Sequence, residues 1–144
     1  MARKRVSHLS QIGNVTEMIH RKGMARMYEA ANAVRNETLR TLSGPRTGRT
    51  YQVPGTSGVT YTASAPGEAP AAPTGELRKS IEANNRSTLI DGGGGSISGY
   101  VGTDLEKGAD LERGTSKMAP RPWLEPSFER ASEQVKRILL RRWV

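Results

Sequence analysis

Residues with a chemistry of their own are few in this chain. It has two histidines, His8 and His20, and no cysteine. Neither histidine is joined by Cys partners or by a cluster of acidic ligands, so both read as surface side chains rather than zinc or catalytic groups. The run Gly92 to Gly95 resembles a phosphate-binding loop in composition only, because no Gly-Lys-Ser/Thr follows and no helix is expected to begin there; it reads as a hairpin loop. Glu106, Asp110 and Glu112 could in principle act as paired carboxylates. Their spacing near the end of a short helix is instead that of a solvated face. No nucleophile sits in a recognisable motif. The expectation is a chain with no catalytic residue, no metal and no cofactor, which is not an enzyme.

What the chain does have is charge, in segments. Residues 1–50 carry 10 basic and 3 acidic side chains, residues 51–116 carry 5 and 8, and residues 117–144 carry 7 and 3. Basic ends around an acidic middle suit either a subunit that meets oppositely charged neighbours or one whose ends face nucleic acid. The aromatics Tyr28, Tyr51, Tyr61, Tyr100, Trp123, Phe128 and Trp143 form no basic-aromatic strand of the kind on which bases stack.

The core that could position any site is small. Leu, Ile, Val and Phe number 25 of 144 residues, below the roughly 20% at which a charged chain struggles to bury enough surface to fold alone. Without disulfides, packing or neighbouring chains must supply the rest. The length is that of one domain. The basic start Met1-Ala-Arg-Lys-Arg5 is followed by no apolar run, and no stretch of 18 apolar residues occurs, so neither a signal peptide nor a membrane span is expected.

Apolar positions Met24, Met27, Ala31, Val34, Thr38 and Leu42 recur at helical spacing, with Ile12, Val15 and Ile19 upstream. A helix is predicted over 10–42, broken or kinked at Gly23 and closed by a left-handed Gly44 cap followed by Pro45. Arg49–Val53 and Val59–Ala63 alternate at period two around Pro54-Gly-Thr-Ser-Gly58, which predicts a hairpin arm over 49–63. A Pro-rich spacer follows over 65–73. Residues 77–103 are expected to form a short turn and strands, with Ile97, Gly99 and Val101 on one face. A short helix is expected over 105–112 and a last helix over 124–142. The last helix has Pro126 in its first turn, and Leu124, Phe128, Ala131, Val135 and Ile138 form its apolar stripe. Trp123 and Phe128 are expected in the core. The predicted fold is α+β, a single domain over 1–144. Its long N-terminal and C-terminal helices pack on a small, mostly antiparallel sheet, and the hairpin extends as an arm.

Two segments carry a family resemblance. Ala65-Pro-Gly-Glu-Ala-Pro leads to Thr74-Gly75-Glu-Leu77-Arg-Lys-Ser80-Ile81, and Glu112-Arg-Gly114-Thr115 precedes Pro122-Trp-Leu124-Glu-Pro126. In this order they resemble the small tail-completion or neck proteins, the head-tail connectors, of long-tailed bacteriophages. Where that family often has a Tyr-Ala pair and aromatics before the Glu-x-Gly-Thr tetrad, this chain has Lys107-Gly-Ala-Asp-Leu111. The resemblance implies a structural virion protein, made in the host cytoplasm and located in the tail or neck. It implies a homo-oligomeric ring, a hexamer, that meets the head-connector or stopper protein and the tail tube or tail terminator. Genomic DNA would pass through the lumen without sequence-specific binding, and no membrane is involved.

Tyr51, Val53, Val59 and Tyr61 are the expected interface residues, since exposed aromatics on a short ribbon make natural anchors; packing on the domain's own sheet is the alternative for the same four. The second functional reading is a small basic nucleic-acid-binding protein. It would use Arg3, Lys4 and Arg5 together with Arg137, Arg141 and Arg142, which are also the possible DNA-facing residues of a ring.

Overall fold

A computed structural model describes residues 2–83, 88–91 and 96–143, with side chains over 14–81 and 96–143. The expected loop at Gly92 to Gly95 lies outside the described residues. The fold is α+β. Helix α1 spans Ala2–Ser43, strands β1 Thr50–Gln52 and β2 Thr60–Thr62 form the arm, and helix α2 spans Glu76–Ala83. Strands β3 Thr88–Asp91 and β4 Ile97–Tyr100 form a second ribbon, followed by helices α3 Glu106–Arg113 and α4 Glu125–Leu139.

Helix α1 starts upstream of the expected Ser10 and runs through Gly23 without a break. Gly23 serves close packing instead: a Cβ there would lie 2.7 Å from Ile97 Cδ1 and 3.6 Å from the Trp143 ring. Bare backbone lets β4 and the end of the chain reach the helix, against a propensity cost of about 1 kcal/mol. The other end also differs from expectation. Gly44 is not among the glycines with positive φ; in place of a left-handed cap, the side chain of Arg46 takes the Thr41 carbonyl in the last turn of α1 and the Gly44 and Pro45 carbonyls just past it.

Helix α4 lies antiparallel on α1 along a seam of small side chains. Ala30, Ala31, Ala33 and Thr38 of α1 are buried, as are Ser127, Ala131 and Ile138 of α4. Ser127 Oγ donates to Thr41 Oγ1 at 2.8 Å, and the completely buried Thr38 donates its hydroxyl to the Val34 carbonyl at 2.9 Å. Every polar atom in so close a contact needs a partner, and these hydroxyls find theirs on the helix backbone or across the seam. Phe128, expected in the core, is 55% exposed, because the one-residue step from Phe128 to Ser127 decides which side chain faces α1, and only the smaller one fits this seam.

The ribbons are separate two-stranded antiparallel sheets, not one sheet. In β3–β4, Leu89 pairs with Gly99 and Ile90 with Ser98. The face of Ile97 and Gly99 lies on α1 as its alternation predicts: a Cβ on Gly99 would sit 3.0 Å from Met27 Cγ. Residues 77–83, expected as a turn and strand, are helical in α2. The spacing of Leu77 and Ile81 is that of one helical face, and both are buried with Leu42 and Trp123 in the main core cluster.

Candidate functional site

The two motif segments meet in that core. Leu77 and Ile81 from the first segment touch Trp123 from the second, and the Trp123 indole N–H donates to the Gly108 carbonyl at 2.9 Å. Gly108 is buried where a Cβ would lie 3.4 Å from both Leu77 and Trp123, so Gly108 is the seat of the tryptophan, with Lys107 and Ala109 exposed on either side. Ser80 Oγ hydrogen-bonds Thr103 Oγ1 and the Leu77 carbonyl. Gly75 has φ +68°, and its carbonyl receives the Lys79 N–H at 2.8 Å, starting α2.

Glu112 departs from the solvated face expected of it. Its carboxylate accepts the backbone N–H groups of Trp123 at 2.7 Å, Leu124 at 2.9 Å and Glu125 at 2.9 Å. These are orphan donors at the start of α4, where a negative charge also complements the helix dipole. Gly114 turns the chain with φ +75°, Thr115 bridges to Met118, and the Arg121 N–H returns to the Leu111 carbonyl at 2.7 Å. Pro126 falls in the first turn of α4 as expected. The Glu-x-Gly-Thr and Pro residues thus build a loop that caps one helix from another.

The Pro-rich spacer is held by two charged residues that the sequence reading passed over. Arg46 makes five hydrogen bonds, all to carbonyls: Thr41, Gly44 and Pro45 at the end of α1, and Pro70 twice, at 3.0 and 3.2 Å. Partial burial lowers its pKa from the usual arginine value, while the Glu68 carboxylate pulls the other way. Glu68 accepts from the Thr47 hydroxyl, the Ala65 N–H at 2.9 Å and the Thr47 N–H at 3.1 Å, and these bonds hold its pKa below the ordinary glutamate value. A basic residue just past a helix C-terminus is the available signal for Arg46. Its partner at Pro70 has no local signal.

Above this base stands the arm. Gly48 N–H bonds the Ala63 carbonyl at 2.9 Å and Ala63 N–H the Arg49 carbonyl at 2.8 Å. Tyr51 pairs directly with Tyr61, their rings 6.0 Å apart, and Val53 N–H bonds the Val59 carbonyl at 2.8 Å. The period of two puts Tyr51, Val53, Val59 and Tyr61 on one face and Thr50, Gln52, Thr60 and Thr62 on the other. Tyr51 and Val59 are about half exposed, and the arm's strands pack chiefly on each other. The structure therefore gathers the four expected residues into one apolar patch.

The basic residues are not gathered. Arg141 pairs with Glu29 at 2.9 Å, and Arg137 Nε leans on the Glu133 carbonyl at 3.4 Å. Arg142 is exposed, its carbonyl receiving the Arg26 guanidinium. Arg3, Lys4 and Arg5 lie at the far end of α1, about 30 Å from Arg26 at 1.5 Å per residue; their side chains lie outside the described residues. Among the described residues, no three His, Asp or Glu side chains gather as metal ligands, and no helix is long and apolar enough to cross a membrane.

A cavity of about 710 Å³ opens between α1, α4 and β4, lined by Met27, Ala31, Val34, Val101, Phe128 and Val135 among others. Phe128 on its rim is the residue the sequence placed inside. No protein-family model matches the chain, and no curated protein or solved structure matches it either.

Proposed function

We propose that this chain is a structural subunit of a bacteriophage neck. Copies assemble into a ring, a hexamer on the resemblance, between the head connector and the tail tube or terminator, with DNA passing through the lumen. The subunit performs no reaction. The observation that carries the reading is the arm: a ribbon with one apolar face, tied firmly at its base, that its own helices leave largely uncovered. A two-stranded hairpin alone is marginal in water, and a tyrosine pair on such a ribbon with Tyr51 half exposed suits an anchor on an adjacent subunit. The two motif segments support the reading in a second way, since they share one core against which Ala69 of the spacer packs.

Passage of DNA requires weak contacts, because each neutralised phosphate adds salt-dependent affinity. Deletion of residues 50–63 tests the proposal in phage complementation. The deleted chain is expected to fold while heads and tails accumulate unjoined, and normal virions would refute the role of the arm. Titration with duplex DNA at physiological salt separates the alternative reading. Weak, salt-abolished binding fits the neck subunit, and tight binding fits a nucleic-acid-binding protein.

A further inference from the structure

The two ends of α1 are not equally covered. Beyond the end of α4, the tail closes on Lys22 and Gly23, where Lys22 Nζ donates to the Trp143 carbonyl at 3.0 Å and Arg26 sits 4.2 Å from the centre of the Trp143 ring. Upstream of that point, residues 14–19 are all exposed. Val15, Met18 and Ile19 are 49%, 44% and 51% exposed, and their spacing puts them on one helical face. This is an apolar stripe on a projecting helix.

The cavity between α1, α4 and β4 is the reverse shape: an apolar trough floored by Ala31 and Val34, with Phe128 on its rim. Beside Phe128 the carboxylates of Glu125, Glu129 and Glu133 recur every fourth residue along α4; Glu133 is paired with Lys136 at 3.0 Å and Arg113 lines the trough with Glu112, so Glu125 and Glu129 form its acidic edge. The projecting half of α1 has the complementary charge. Residues 2–21 carry Arg3, Lys4, Arg5 and Arg21 against Glu17 alone, and Glu17 is paired with Arg21 at 3.5 Å. The stripe cannot reach the trough of its own chain, because both belong to one continuous helix and Val15 stands nearly 30 Å from Val34 along it.

We infer that the trough receives the N-terminal half of α1 from a second copy, with Val15, Met18 and Ile19 against Phe128 and Val135, and the basic helix along the acidic edge. Donor and acceptor are different surfaces, so the contact is head-to-tail, the type that builds a ring when its rotation closes and a filament when it does not. The inference rests on the reading of the chain as a self-assembling subunit and names the surfaces that join.

Two variants of the full chain test it. Val15→Asp with Ile19→Asp spoils the donor helix, and Phe128→Arg with Glu129→Arg spoils the trough. All four positions are exposed, and circular dichroism checks that the folds persist. In native mass spectrometry the wild type is expected to form oligomers, each variant alone to stay monomeric, and their mixture to form a dimer of one copy of each and nothing larger, because one intact donor meets one intact trough. A monomeric mixture, a variant that assembles like the wild type, or a wild type monomeric at its highest soluble concentration would each overturn the inference. If a variant loses its helicity, the absence of native cysteine allows a decisive substitute: Ile19→Cys chains mixed with Phe128→Cys chains under mild oxidation. The mixed disulfide is expected to exceed either self-dimer, and its failure to do so overturns the inference. The neck reading fails by another route, in complementation, since rings that close only on their partners would still join heads to tails.

Discussion

The carboxylate of Glu112 holds the backbone N–H of Trp123 at 2.7 Å, so the end of α3 caps the start of α4 across the loop that separates them. The same carboxylate takes the next two amides, and neither the Leu124 cap position nor its side chain supplies an alternative acceptor. Glu112→Ala is expected to cost about 1–2 kcal/mol, the scale of a lost helix cap whose donors are half-buried at Trp123 and Leu124 and exposed at Glu125. Glu112→Gln retains one acceptor oxygen and should cost less. Urea denaturation of both variants measures the difference, and equal, negligible losses would show that water replaces the cap.

Gly114 is the tightest turn in the same loop. Its φ is +75°, and an added Cβ would stand 2.8 Å from the Met118 carbonyl oxygen and from the Pro120 nitrogen. Both neighbours are backbone and cannot step aside as a side-chain end can. Gly114→Ala is expected to destabilise the fold by roughly 2 kcal/mol or more, combining strain with collision. Gly55→Ala at the arm tip, where φ is +77° but nothing lies within 4 Å, should cost about 1 kcal/mol from strain alone. Thermal melts of the pair rank the two effects.

Arg46 spends all five N–H donors on carbonyls. A lysine has three donors and no planar fork, so Arg46→Lys is expected to lose roughly 1–2 kcal/mol. The expected signature is local: faster proteolysis within residues 64–75 with α1–α4 packing retained. Limited proteolysis followed by mass mapping checks it. Cleavage spread evenly over the chain would mean that Arg46 supports the whole fold rather than the spacer.

The base of the arm should respond to acid through Glu68. Its pKa is depressed in the fold by hydrogen bonds from the Thr47 hydroxyl, then the Ala65 and Thr47 amides. A depressed carboxyl pKa contributes stability that is present above the unfolded value and is lost as pH falls through the folded one. Amide exchange at Thr47 and Ala65 should therefore show protection that is constant at neutral pH and declines below the ordinary glutamate range. Glu68→Gln should lack that acid step while exchanging faster at neutral pH.

The arm patch should matter to assembly and little to folding. Tyr51→Ser with Val59→Ser removes apolar surface that is about half exposed, so the expected stability loss is below about 1 kcal/mol. Joining of heads to tails in complementation should fall sharply. A large drop in melting temperature with assembly intact would place the patch in the subunit's own packing.

Elements with a strong local period were legible in the sequence. The buried face of α1 through Ala31, Val34, Thr38 and Leu42, the register of the arm, and the first turn of α4 at Pro126 follow from spacing and turn chemistry alone. Besides Glu112 and the Gly44 cap, three more readings failed where the deciding contact was distant. Gly23 looks like a helix break until Ile97 and Trp143 are seen to need its bare backbone. Leu77 and Ile81 read as turn and strand until Trp123 supplies the surface that stabilises one helical face. Phe128 fits the periodic stripe of α4, yet the small-residue seam on α1 accepts Ser127 instead.

By itself the sequence determined that the chain is poor in apolar residues, charged in segments, free of cysteine, and built of two long amphipathic helices with an amphipathic ribbon between them. These properties are carried by composition and nearest neighbours along the chain. Tertiary structure alone decided that Glu112 caps α4, that Arg46 and Glu68 fasten the arm, and that a projecting stripe and an apolar trough occupy different parts of one molecule. Each depends on groups far apart in sequence meeting at hydrogen-bond or van der Waals distance, and no local propensity encodes that meeting.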